Sequence, residues 1–286
     1  MVKNNKVQIV LLLIFVGFVY TAADNSTEDA GETLMHHVMD GHDWQPIPLL
    51  GSISLHDISV GPITIPVTRH VVMLLINGVL LTAVFTAAFR KKRLIPMGMA
   101  SVLEPLVFFV RDSLVYPTMG EELGKKWLPF FYTLFFFILC ANLLGMIPLF
   151  GTSTGNLSIT GALAVMVFTA VLVTGMKKHG FFGFFKNMMP EGLPLPIGIL
   201  LLGIEIPSLI IRNGVLAVRL FANMIAGHFV IYSLLLLIFL IHPLVSIVSV
   251  PMALFINLLE VLVAIIQAVV FTMLSSIFIS AAVAHH

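Results

Sequence analysis

Charge is what this 286-residue chain has least of. Only 10% of its residues are Asp, Glu, Lys or Arg, against about a quarter in an ordinary soluble domain. Hydrophobic residues make up 59%, and the mean hydropathy is +1.06. Together these values exclude a soluble globular domain and make the chain a polytopic membrane protein. The net charge is only +1, and the basic residues sit in short clusters beside apolar runs, which argues against a nucleic-acid partner. Cysteine is nearly absent. The single Cys140 lies within an apolar run, so there is no disulfide framework, thiol motif or usual lipid-anchor signal, and the residue reads as a small core side chain. No internal repeat stands out, which counts against an inverted-repeat transporter.

What is present is a succession of apolar runs punctuated by basic clusters. Residues 1–23 read as a secretory signal: Lys3 and Lys6, an apolar run over residues 7–20, then Thr21, Ala22 and Ala23 ahead of Asp24. The alternative is a short uncleaved anchor, and in either case Asp24 starts outside. Residues 24–68 are mixed and polar, as suits an exposed external segment. Residues 69–286 form the membrane domain. Its first span covers residues 70–89 and stops at Arg90, Lys91, Lys92 and Arg93, which the positive-inside rule places in the cytoplasm.

Residues 94–127 mix Pro96, Glu104, Arg111, Asp112, Glu121 and Glu122 with moderate hydrophobicity, which suits a membrane-surface helix or re-entrant segment. The second span, residues 127–150, begins beside Lys125 and Lys126. After an external turn, the third span, residues 157–176, returns to Lys177 and Lys178. The three spans and three basic clusters share one orientation. Two long apolar stretches follow, residues 195–241 and 243–284, divided by His242 and Pro243. Each would reach over about 60 Å as one helix, twice the roughly 30 Å hydrocarbon core. A break near Asn213 and Gly214 would leave backbone groups unpaired in lipid, so a strongly tilted hairpin is the better solution. The expected fold is an all-α polytopic membrane protein with about five membrane helices plus an interfacial segment, the last two helices forming the tilted hairpin.

From Leu193 to the end, the only Asp, Glu, Lys or Arg residues are Glu205, Arg212, Arg219 and Glu260. An arginine on a helix in hydrocarbon costs about 3 to more than about 10 kcal/mol, so it persists where it faces water, a counter-charge or a transported ion. Glu205, Arg212 and Arg219 are spaced by seven, with Asn223 one turn later, so they share a helix face. Glu260 and Gln267 are again seven apart, with Asn257 one turn before Glu260, and two such stripes facing each other would line a hydrated route. Each has a plainer alternative. Arg212 can snorkel to the interface with Glu205 as its counter-ion, and Asn257 and Gln267 can simply bond helix to helix. Arg219 has no acid three or four residues away to neutralise it. His228, nine residues after Arg219, points to the other side, where Glu260 could meet it. Such a pair can pass protons, because imidazole titrates near neutral pH, whereas arginine keeps its proton and serves as a fixed charge.

These residues, in this order, resemble subunit a of the F-type ATP synthase, bacterial type. The resemblance rests on Arg219, Leu220, Phe221, Ala222, Asn223 and Met224, on Gly227 with His228, and on Gln267 with Ala268. Asn142 to Pro148, residues 152–160, Phe109 to Asp112 and His36 to Asp40 support it. It implies a non-catalytic stator beside the rotating c-ring, in contact with subunit b and the rest of the complex, with no cofactor or metal. Protons would enter one half-channel, protonate a carboxylate on subunit c, and leave by a second half-channel after the ring turns. Arg219 would keep the passing carboxylate ionised and block a direct leak. His228 and Glu260 occupy positions where members carry one base and one acid, and Glu205 falls where the family has an acid near the internal half-channel. Ala222 departs from the glycine of some members. The implied location is the bacterial inner membrane or an organelle's energy-coupling membrane, with the amino terminus outside and the carboxyl terminus cytoplasmic.

Three other readings fare worse. Gly151, Ser153 and Gly155 fit the Gly-x-Ser-x-Gly nucleophile pattern, but that pattern needs a strand, a sharp turn and a helix, and here it is a polar turn between spans. His36, His37, Asp40 and His42 have metal-ligating types, yet they also suit an amphipathic surface helix. A self-contained ion channel or secondary transporter is the strongest alternative function.

Overall fold

The computed structural model describes residues 43–44, 53–54, 58–60, 63–65, 68–90, 97–147, 152–187, 195–240 and 243–284. The expected signal, most of the external segment and the histidines at 36, 37 and 42 lie outside them. Four short strands form two antiparallel ladders: β1 (Asp43–Trp44) with β2 (Ile53–Ser54), and β3 (Ile58–Val60) with β4 (Ile63–Ile65). Among the described residues everything else with regular structure is helical, and five of these helical stretches are long and apolar enough to cross a membrane.

Helix α1 (Arg69–Phe89) has 21 residues, so it is about 31 Å long and matches one hydrocarbon core. Its His70, Met73 and Asn77 recur at helical spacing and form its buried stripe. Helix α2 (Met99–Phe109) passes through a π-helical turn (Val110–Val115) into α3 (Tyr116–Gly145). The helical course is interrupted at Gly120, whose φ of 73° and ψ of 167° suit a residue without Cβ. The span expected from residue 127 therefore continues back as helix to Gly120. Its extra turns carry Glu121, Glu122, Lys125 and Lys126, which are good helix formers. Polarity marked a membrane boundary here and not a helix boundary.

Helix α4 (Leu157–His179) closes on Lys177, Lys178 and His179, cations that suit the negative end of the helix dipole. A short α5 (Phe181–Asn187) follows Gly180, whose φ is 76°. Helix α6 (Leu195–Leu240) has 46 residues and α7 (Ser246–Val283) has 38, about 69 and 57 Å. Neither is broken in two. At Asn213 the side-chain amide donates to the Leu209 carbonyl at 2.8 Å, so the polar residue is accommodated within the helix. An unbroken helix of twice the membrane's thickness tilts or projects from it.

The residues group into two units. The first takes in the chain up to Asn77, Ala141–Asn156 and Asn223–Val263; the second takes in Gly78–Cys140, Leu157–Ala222 and Ala264–His286. In the second unit, Phe131, Phe135 and Ile138 of α3 pack with Val167 of α4, Leu216 of α6 and Phe271 of α7. The hydroxyls of Thr118 and Ser276 share a hydrogen bond of 2.8 Å, and Lys178 Nζ donates to the Val283 carbonyl at 2.8 Å, tying the end of α4 to the end of α7. In the first unit the end of α3 lies against α6. A Cβ on Gly145 would fall 2.7 Å from Met224 Cε.

Candidate functional site

The last two helices carry the ionisable side chains, and each unit holds part of the arrangement. In the first unit, His228 of α6 and Glu260 of α7 face one another with Nε2 and Oε1 3.9 Å apart. Their side chains are only 13% and 5% exposed. That separation fits an ion pair and exceeds a hydrogen bond, so a small side-chain rotation would bring the two into direct contact. Both facing atoms are buried without another hydrogen-bond partner among the described residues. The site can therefore hold or pass one proton between an acid and a base.

The carboxyl of Glu260 fits because residue 227 is glycine. A Cβ there would lie 2.5 Å from Oε1 and 2.7 Å from Cδ of Glu260. Asn223 and Asn257, on the same two helices, are half-buried. Gly227→Ala gives a direct test of this packing. Alanine favours a helix over glycine by about 1 kcal/mol, so the helix itself should gain. The Glu260 carboxyl must move, however, and we expect an assembled protein with reduced proton-coupled activity, read as pumping rate against assembly on native gels. Unchanged pumping would show that the close approach does not matter.

In the second unit the stripe read from the sequence divides. Arg212 pairs with Glu205 and its Nε donates to Ser208 Oγ at 3.0 Å, so those two charges neutralise each other on a half-exposed surface. This is the counter-ion arrangement weighed above. Arg219 is different. It is exposed and, among the described residues, has no ion pair or side-chain hydrogen bond. Around it on the same face, Ile211, Val215 and Val218 are 62%, 44% and 54% exposed, and Ala222 is exposed as well. Among the described residues this permanent cation thus has no counter-charge and stands in an exposed, mostly apolar surface, where charge is tolerated only opposite water or an opposite charge. Gln267 is buried at 4% exposure, beside Ala268 and near Phe271 on α7, and its amide nitrogen has no hydrogen-bond partner among the described residues. Ser153 of the Gly-x-Ser-x-Gly match opens a three-residue 3₁₀ turn (Ser153–Gly155) that leads into α4.

Sequence reasoning named Gly227 within the family motif but gave it no role, and it did not single out Tyr232. The latter stacks on His228 with ring centroids 6.1 Å apart. A small residue next to a candidate base, and an aromatic one turn beyond it, were the available signals.

Five apolar helical stretches of membrane-spanning length, with charges on the last two, define a helical multi-pass membrane protein. Residues 71–280 match the family model described as ATP synthase A chain. The ATP synthase subunit a of Anaeromyxobacter dehalogenans is 38% identical over 279 residues, covering 91% of this chain and 72% of its own length. That of Chloroherpeton thalassium is 42% identical over 257 residues, with 88% and 76% covered. That of Myxococcus xanthus is 44% identical over 232 residues, with 79% and 76% covered. The chain belongs to the ATP synthase A chain family.

Proposed function

We propose that this chain is the proton-conducting stator subunit of the ATP synthase membrane sector, forming two half-channels beside a rotating c-ring and coupling proton flow to rotation. The observation that carries the reading is Arg219, a lone exposed cation on an apolar face. Such a charge needs water or an anion opposite it, and a carboxylate on subunit c passing that face would supply the anion. Arg219 keeps the passing carboxylate ionised and, because it cannot release its proton, stops protons from leaking between the half-channels. His228 and Glu260 hand protons along the external half-channel. Asn223, Asn257 and Gln267 supply polar lining, and Glu205 with Arg212 marks the internal side. Subunit b and the rest of the complex hold the chain against the ring. A self-contained channel would have to neutralise Arg219 from within the chain, and no described residue does so. Proton pumping by an assembled Arg219→Ala enzyme tests this reading.

The chain sits in a bacterial inner membrane with its amino terminus outside, behind a signal over residues 1–23, and its carboxyl terminus in the cytoplasm. The basic clusters at Arg90 to Arg93 and at Lys177 and Lys178 support that orientation. Single cysteines replacing Asn156 or Lys178, in a Cys140→Ser background, should react with an impermeant thiol reagent from opposite sides of the membrane. Labelling of both from one side would overturn the orientation.

A further inference from the structure

Tyr232 lies one turn beyond His228 on α6, and its ring stacks on the imidazole with the planes 27° apart. The phenol is also within electrostatic reach of two charged groups of the same unit, the Arg69 guanidinium at the start of α1 and the Glu260 carboxyl on α7. In the proposed orientation the start of α1 and the end of α6 both lie toward the outside. Tyr232 therefore lies one turn to the outer side of His228, in the unit that also holds the start of α1.

A phenol hydroxyl donates one hydrogen and accepts on its oxygen, whereas a guanidinium only donates. A guanidinium meeting the phenol would therefore use its oxygen and leave the O–H hydrogen to be donated to a different acceptor. In the same unit, His228 Nε2 and Glu260 Oε1 are buried and have no hydrogen-bond partner among the described residues.

We propose that Tyr232 is the outermost proton-handling residue of the external half-channel, placing its hydroxyl between external water and the His228–Glu260 pair. The step balances without a net change on the tyrosine. Its oxygen takes a proton from a hydronium ion on the outer side, its own O–H proton passes to Nε2 or Oε1, and water is left behind. No phenolate forms. The proposal rests on the reading of the chain as a proton conductor, and its test is chosen to separate the two.

The test is Tyr232→Phe in the assembled ATP synthase, with ATP-driven proton pumping measured in vesicles in H2O and in D2O. Phenylalanine keeps the ring and its stacking and removes only the hydroxyl. Pumping should fall by about a hundredfold, the lower end of the range for a lost proton-transfer group. The solvent isotope effect should rise, because in the pumping direction proton release through the external half-channel becomes the slow step. A wild-type rate in Tyr232→Phe overturns the proposal, and so does a slowed rate with an unchanged isotope effect, which would make the residue a packing element. Arg219→Ala in the same preparations separates the failures. If that enzyme does not pump while Tyr232→Phe pumps normally, only the tyrosine's role falls; if Arg219→Ala pumps, the underlying reading falls and the proposal with it.

Discussion

An assembled enzyme carrying both His228→Glu and Glu260→His should pump protons faster than either single mutant. The two side chains face one another at 3.9 Å from different helices, buried at 13% and 5% exposure. What such a pair needs for proton transfer is one acid and one base in reach, and the order matters less. His228→Glu alone places two carboxyls against each other, and Glu260→His alone places two imidazoles there. Each single change should slow pumping by about a hundredfold, the usual scale for losing a proton-transfer group. Coupled neighbours depart from additivity by up to about 3 kcal/mol, and to pass either single mutant the exchanged pair must exceed the product of the two defects by more than about a hundredfold, close to that upper limit. Recovery should be partial, because the gap left by Gly227 is shaped around a carboxyl at position 260. A double mutant at the product of the single defects would show that the residues act separately.

Much of the architecture was legible because membrane helices announce themselves by length and polarity. The apolar run ending at Arg90 gave a span of residues 70–89, and the helix is Arg69–Phe89. The two final stretches could be read as long helices because they offered no turn that lipid would tolerate, and α6 and α7 are unbroken. The seven-residue spacing placed Glu205 near Arg212, since that distance is set within one helix. The start of the second span was not legible, because helix-forming Glu and Lys residues carry the helix back to Gly120 through a segment too polar to read as membrane. The roles of Gly227 and Tyr232 were hidden for another reason. Both depend on the register of α6 against α7 and, for Tyr232, on the distant α1, which no local pattern encodes.

Arg219→Ala should leave the chain inserted and the complex assembled while abolishing coupled proton transport. The side chain is exposed and makes no ion pair or hydrogen bond among the described residues, so its removal breaks no described polar contact and relieves a charge that costs about 3 kcal/mol or more at membrane depth. A residue that adds nothing to the fold and is costly to keep owes its presence to what it meets outside the chain. In the proposed mechanism, a ring carboxylate without it has no fixed cation to hold it ionised, and nothing separates the two half-channels. The decisive measurement is ATP-driven proton pumping and proton-driven ATP synthesis by inverted vesicles containing Arg219→Ala complex, with assembly verified on native gels. The account predicts full assembly with neither activity above background; near-normal coupled activity in an assembled Arg219→Ala complex would contradict it.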